Sequence, residues 1–78
     1  MIKVHYFGII AEAAACEQES ISSSKIGLQS LIGDLKEKHQ LDSYEFQIAV
    51  NRKIIQDPST IQLENGDEVA FLPAFSGG

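Results

Sequence analysis

The sequence predicts an α+β fold, a mixed sheet of about five strands packed on one main helix, with a short additional helix. Three observations predict it. The opening residues alternate apolar and polar with a period of two, one strong helical stripe follows in the middle, and further period-two stretches separated by turn residues fill the second half.

The first strand covers Ile2 to Phe7, with Ile2, Val4 and Tyr6 on one face and Lys3, His5 and Phe7 on the other. Phe7 is therefore out of phase with the core set: it either ends the strand by folding under or stands exposed on the sheet's outer face. Gly8 breaks the pattern, and Ile9 to Cys16 is rich enough in alanine for the short helix. Gln18 to Ser22 reads as a second strand with Ile21 inward, and Ser22-Ser23-Ser24-Lys25 as a connection. Leu28, Leu31, Ile32 and Leu35 form an i, i+3, i+4, i+7 stripe, the mark of an amphipathic helix. Gly27 stands at its N-cap, and Lys36, Lys38 and His39 near its end suit the helix dipole. Gly33 in its middle costs about 1 kcal/mol relative to alanine.

Phe46 to Val50 is the next strand, with Phe46, Ile48 and Val50 on one face. Asn51-Arg52-Lys53 turns the chain into a short strand at Ile54 to Gln56. Asp57-Pro58-Ser59-Thr60 punctuates it, and Ile61 and Leu63 anchor a crossing segment. Asn65-Gly66 is a turn signal, because both residue types tolerate positive φ. Glu68 to Pro73 is the last strand, with Val69 and Phe71 inward and Ala70 and Leu72 outward. If the first and last strands are parallel neighbours, the intervening helix is their crossover. That arrangement is a β-grasp. Residues 1–78 then form a single domain, with a flexible C-terminal tail at 74–78.

Composition removes several classes of function. A net charge of −5 disfavours nucleic acid, which needs clustered lysine and arginine. The alternating N-terminus differs from the continuous apolar run of a signal peptide, and no stretch nears the ~20 apolar residues of a membrane span. A cytoplasmic location is expected. Cys16 is the single cysteine, so no internal disulfide forms, and it is expected as a small, buried or half-buried hydrophobe. No spacing of cysteine and histidine suggests zinc, and no metal is expected.

The side chains offer little catalysis. His5 and His39 lie far apart in sequence and are expected to be solvated, and the pairs Glu17/Glu19 and Asp67/Glu68 are expected as solvated faces or turn residues. The anomaly is the end of the chain, Ser76-Gly77-Gly78. Two glycines lack Cβ atoms, can enter a narrow channel and reach φ values closed to other residues.

The run Asn65-Gly66-Asp67-Glu68-Val69-Ala70-Phe71-Leu72-Pro73-Ala74-Phe75-Ser76-Gly77-Gly78 resembles the end of the small subunits of molybdopterin synthase. The similarity extends to Ile48-Ala49-Val50-Asn51, to Ile2-Lys3-Val4-His5-Tyr6-Phe7 and to Glu12. Two positions depart from the family pattern: Ala11, where relatives often have arginine, and Ala74, where many have a second proline.

The resemblance implies a ubiquitin-like sulfur carrier that is not catalytic alone. An E1-like enzyme would use MgATP to adenylate the carboxylate of Gly78, and a persulfide donor would convert it to a thiocarboxylate. Ser76 and Gly77 would thread the tail into the large subunit, where sulfur passes to cyclic pyranopterin monophosphate to build the dithiolene. A carboxylate is a poor electrophile, adenylation supplies the leaving group, and a thiocarboxylate is a good sulfur nucleophile. The implied assembly is a heterotetramer of two large and two small subunits. Partner binding is expected at Phe7 and Leu72, from their phase, and by resemblance at Ile54, Pro73 and Phe75. No resident cofactor is implied. Carriers for thiamine synthesis or tRNA thiolation share the tail and the fold, and a noncovalent ubiquitin-like adaptor would carry the tail without using it.

Overall fold

The computed structural model describes residues 1–23 and 25–74. Seven strands and two helices follow in the order β1 (Ile2–Tyr6), α1 (Gly8–Ala14), β2 (Gln18–Ile21), β3 (Lys25–Gly27), α2 (Leu28–His39), β4 (Phe46–Val50), β5 (Lys53–Ile55), β6 (Gln62–Glu64) and β7 (Glu68–Pro73). Five strands form one mixed sheet in the order β2-β1-β7-β4-β5. β7 runs parallel to β1, with Tyr6 opposite Phe71, and antiparallel to β4, with Ala49 opposite Ala70. This is the ubiquitin-like β-grasp.

Alternation decides which face each strand buries. Ile2, Val4 and Tyr6 of β1 are at most 2 % exposed, and Val69 and Phe71 of β7 are fully buried. Leu28, Leu31 and Leu35 cover them from α2, while Ile32 packs at the edge of the same cluster. No polar side chain is buried among the described residues. Gly33 has no atom within 4 Å of where a Cβ would stand, so it occupies an open surface position.

The helix ends follow backbone chemistry. Gln40 caps α2 in the left-handed conformation at φ 55°, and its N–H returns to the carbonyls of Glu37 and Lys36. Ala15 caps α1 in the same way at φ 61°. These satisfy carbonyls that the last turn leaves open. A 3-10 turn at Pro58–Thr60 is capped by Asp57, which accepts from the Ser59 N–H.

Two local readings change. Lys25 is strand rather than connection: β3 pairs antiparallel with β6 in a separate two-stranded sheet, Ile26 facing Leu63. Three residues are too few to show an alternation, so the pairing left no periodic mark. In the Asn65-Gly66 turn only Gly66 takes positive φ, at 97°, and the two-residue left-handed turn instead falls at Asn51 and Arg52, with φ 50° and 72°. Arg52 does so without glycine because the β4–β5 hairpin requires that twist.

Candidate functional site

The outward residues of the sheet follow from its register. Ile54 of β5 stands opposite Ala49 of β4, Ala49 opposite Ala70 of β7, and Ala70 opposite His5 of β1. Leu72 lies on the same face, two residues beyond Ala70, and faces Gln47. Phe7 extends the β1 ladder by one bond, its N–H donating to the Phe71 carbonyl at 3.2 Å. Its ring stacks on His5, with centroids 6.5 Å apart. The structure thus brings Phe7, Leu72 and Ile54 to one sheet face.

Phe7 is 47 % exposed and Ile54 50 % exposed, whereas Leu72 and Pro73 are half-buried. Between Phe7 and Arg52 lies a shallow hollow with Ala49 and Ala70 as its floor and His5 and Glu68 on its rim. His5 is held to Glu68 at 3.0 Å, so its imidazole is anchored rather than free. Small alanines with apolar side chains around them make a surface that can receive apolar groups from a partner.

Strand β7 ends beside α1. Pro73 lies two residues beyond the Tyr6–Phe71 pair, at the level where β1 has given way to Gly8. A missing N–H costs no ladder bond where the neighbouring strand has ended. Gly8 has φ 57°, and a Cβ there would stand 2.8 Å from Pro73 Cγ. Glycine is therefore required at position 8 for the backbone and for the close approach alike. Ala74 then donates to the Glu45 carbonyl at 3.2 Å, which holds the chain one residue beyond β7. The sequence expects the tail to begin at residue 74; this bond ties the Ala74 backbone itself to the body. Phe75, Ser76, Gly77 and Gly78 lie outside the described residues.

Sequence spacing missed two features. Ile9, 51 % exposed, extends the apolar surface beside Gly8; it falls outward because Ile10 turns into the core. Its signal was the adjacent Ile9-Ile10 pair, of which a short surface helix can bury one.

The second is a polar cluster around Glu19. Lys38 and His39 of α2 reach its two carboxylate oxygens at 2.8 and 2.7 Å, and the Tyr6 hydroxyl donates to it as well. Glu19 and His39 are only 17 % and 12 % exposed, so neither is the solvated side chain that the sequence suggested. Partial burial pushes the Glu19 carboxyl up, but the hydrogen bonds from Lys38, Tyr6 and His39 outweigh it and hold its pKa at about 2. Burial, with the Glu19 carboxylate beside it, pushes the Tyr6 phenol well above its ordinary range. Cys16 is half-buried, the second of the two placements the sequence left open, and its thiol joins Glu19 and His39 within 4.8 Å.

The class of protein is defined by this sheet: a ubiquitin-like β-grasp with its last strand at the centre. The sequence profile of the ThiS family matches residues 4–78, and the chain belongs to that family of small sulfur carriers. Among solved structures, it is 28 % identical to a chain in the complex of subunits 1 and 2 of molybdopterin-converting factor from Helicobacter pylori, covering 99 % of this chain and 97 % of that one at a TM-score of 0.72. A putative molybdopterin converting factor subunit 1 from Pyrococcus furiosus shares the fold at a TM-score of 0.78 and 22 % identity, covering 95 % and 97 %. Small archaeal modifier protein 1 from Methanosarcina acetivorans shares it at 0.76 and 24 %, covering 99 % and 95 %. No curated protein sequence matches the chain.

Proposed function

We propose that this protein is the sulfur-carrying small subunit of molybdopterin synthase. One observation carries the reading: 28 % identity over 99 % of the chain to a component of a molybdopterin-converting factor complex. The tail sequence and the apolar sheet face support it.

In this reading the carboxylate oxygen of Gly78 attacks the α-phosphorus of ATP on an E1-like enzyme, with pyrophosphate leaving. A persulfide sulfur then displaces AMP from the acyl carbon, and reduction of the acyl disulfide by a thiol releases the thiocarboxylate. Inside the large subunit the thiocarboxylate sulfur attacks the pyranopterin precursor, and hydrolysis returns the carboxylate. Two turns supply the two dithiolene sulfurs. Adenylation turns a poor electrophile into a good one, and the partner enzymes provide the acid–base groups. This chain's contribution is placement: Phe7, Ile54, Leu72 and Pro73, with Phe75, dock the body, and Ser76 and Gly77 thread the carboxyl terminus into the channel.

The test is reconstitution. Incubation with the E1-like enzyme, MgATP and a sulfur source should replace one oxygen by sulfur at Gly78, read by intact mass. The product should then convert cyclic pyranopterin monophosphate in the presence of the large subunit. Thiocarboxylate formation without dithiolene synthesis would assign the carrier to another pathway, such as thiamine synthesis or tRNA thiolation. Absence of the thiocarboxylate would leave the noncovalent adaptor.

A further inference from the structure

We propose that Cys16, Glu19 and His39 form a binding site for a divalent cation of the zinc class. The three side chains come from separate elements: the turn after α1, strand β2 and the last residue of α2. Each offers one donor atom, and the three atoms lie within 4.8 Å of one another. Thiolate, imidazole and carboxylate together suit a borderline-soft ion and disfavour calcium and magnesium, which take oxygen ligands.

The surroundings orient the donors. Lys38 occupies Glu19 Oε2 at 2.8 Å, while Oε1 accepts from the Tyr6 hydroxyl and faces His39 Nε2 at 2.7 Å. The Tyr6 ring meets the His39 imidazole edge-on, with centroids 5.4 Å apart, and its hydroxyl donates to Glu19. Such outer contacts fix the rotamers of metal ligands in zinc sites. Entry of the ion would part the Oε1–Nε2 pair to roughly 3.3 Å, the edge of a tetrahedron with bonds of about 2.0 Å. The Cys16 thiol loses its proton to solvent as the sulfur–metal bond forms, and His39 gives up its Nε2 hydrogen bond to Glu19, switching to the Nδ1-protonated tautomer so that Nε2 binds the ion. Thiolate and carboxylate then balance the charge of the ion, and Lys38 stays on the outer oxygen. Three protein ligands leave the fourth position to water.

The site is independent of the Gly78 chemistry and is tested on the full chain alone. Calorimetric titration with Zn²⁺ should give one ion per chain, with a concentration-dependent rise in Tm. Co²⁺ in its place should show a thiolate-to-metal charge-transfer band. Cys16→Ser should abolish that band and weaken zinc binding by more than about tenfold, with little change in the metal-free Tm. His39→Gln should weaken binding to a similar extent; if it fails to fold, protection of Cys16 from alkylation by Zn²⁺ in the unmodified chain replaces it. No saturable binding at micromolar Zn²⁺, or binding that Cys16→Ser leaves unchanged, overturns the proposal.

Discussion

Glu19 accepts hydrogen bonds from Tyr6 of β1 and from Lys38 and His39 of α2, so a single carboxylate on β2 ties three elements together. Its folded pKa of about 2 lies below the 4.5 of a free glutamate. A depressed carboxyl stabilises the fold fully above the unfolded pKa and loses that contribution as pH falls through the folded one. Stability should therefore drop between about pH 4.5 and pH 2, by on the order of 1–3 kcal/mol after allowance for solvent. Acid titration of urea unfolding should show this window, and Glu19→Gln should flatten it. Gly8 gives a second test at this scale. Gly8→Ala places a side chain at φ 57° and against Pro73 Cγ, so it should cost about 1–3 kcal/mol in chemical denaturation. An unchanged midpoint would show that β7 and α1 part more easily than their contact suggests.

At the scale of elements, the proposed docking face and the core meet at the end of β7 and the start of α1. Phe7 is half exposed, so Phe7→Ala should cost less than about 1 kcal/mol of stability while weakening large-subunit binding by tenfold or more. Phe71→Ala, one strand away and fully buried, should cost about 3–5 kcal/mol instead. Equal losses of stability and binding for Phe7→Ala would place that ring in the core's service. Adding one residue after Gly78 should abolish thiocarboxylate formation with no change in Tm, because the acyl carbon becomes an internal amide. The strands that carry this division were legible in the sequence, since a period of two marks both the buried and the outward set; Glu68 to Pro73 is found with the bounds expected. The Leu28, Leu31 and Leu35 stripe was equally plain. What escaped was short or non-local. β3 and β6 hold three residues each, and the contacts of Gly8 with Pro73 and of Glu19 with His39 join positions with no common periodicity. Such pairs become visible once the sheet order is known.

The molecule as a whole carries a net charge of −5, while the apolar sheet face between Phe7 and Ile54 includes Arg52 at its margin. Charge of that size steers encounter with a basic partner more than it holds the complex. Association with the large subunit should slow by roughly tenfold on passing from low to high salt, with a smaller change in dissociation. Stopped-flow measurement decides this; an association rate indifferent to salt would reserve the charge for solubility. Light scattering should find the chain monomeric alone and two copies with two large subunits in the complex.

The strand order has a consequence in time. β7 follows the other six strands in the chain, yet it occupies the centre of the sheet between β1 and β4. During synthesis, the earlier strands have no completed sheet to join until Glu68 to Pro73 emerge and insert between them. Pairing across such sequence distances is slow to form. A chain interrupted before this point lacks its central strand, so in the proposed function a nascent carrier would have no completed sheet to present to a partner. Completing the sheet and completing the docking face are the same event.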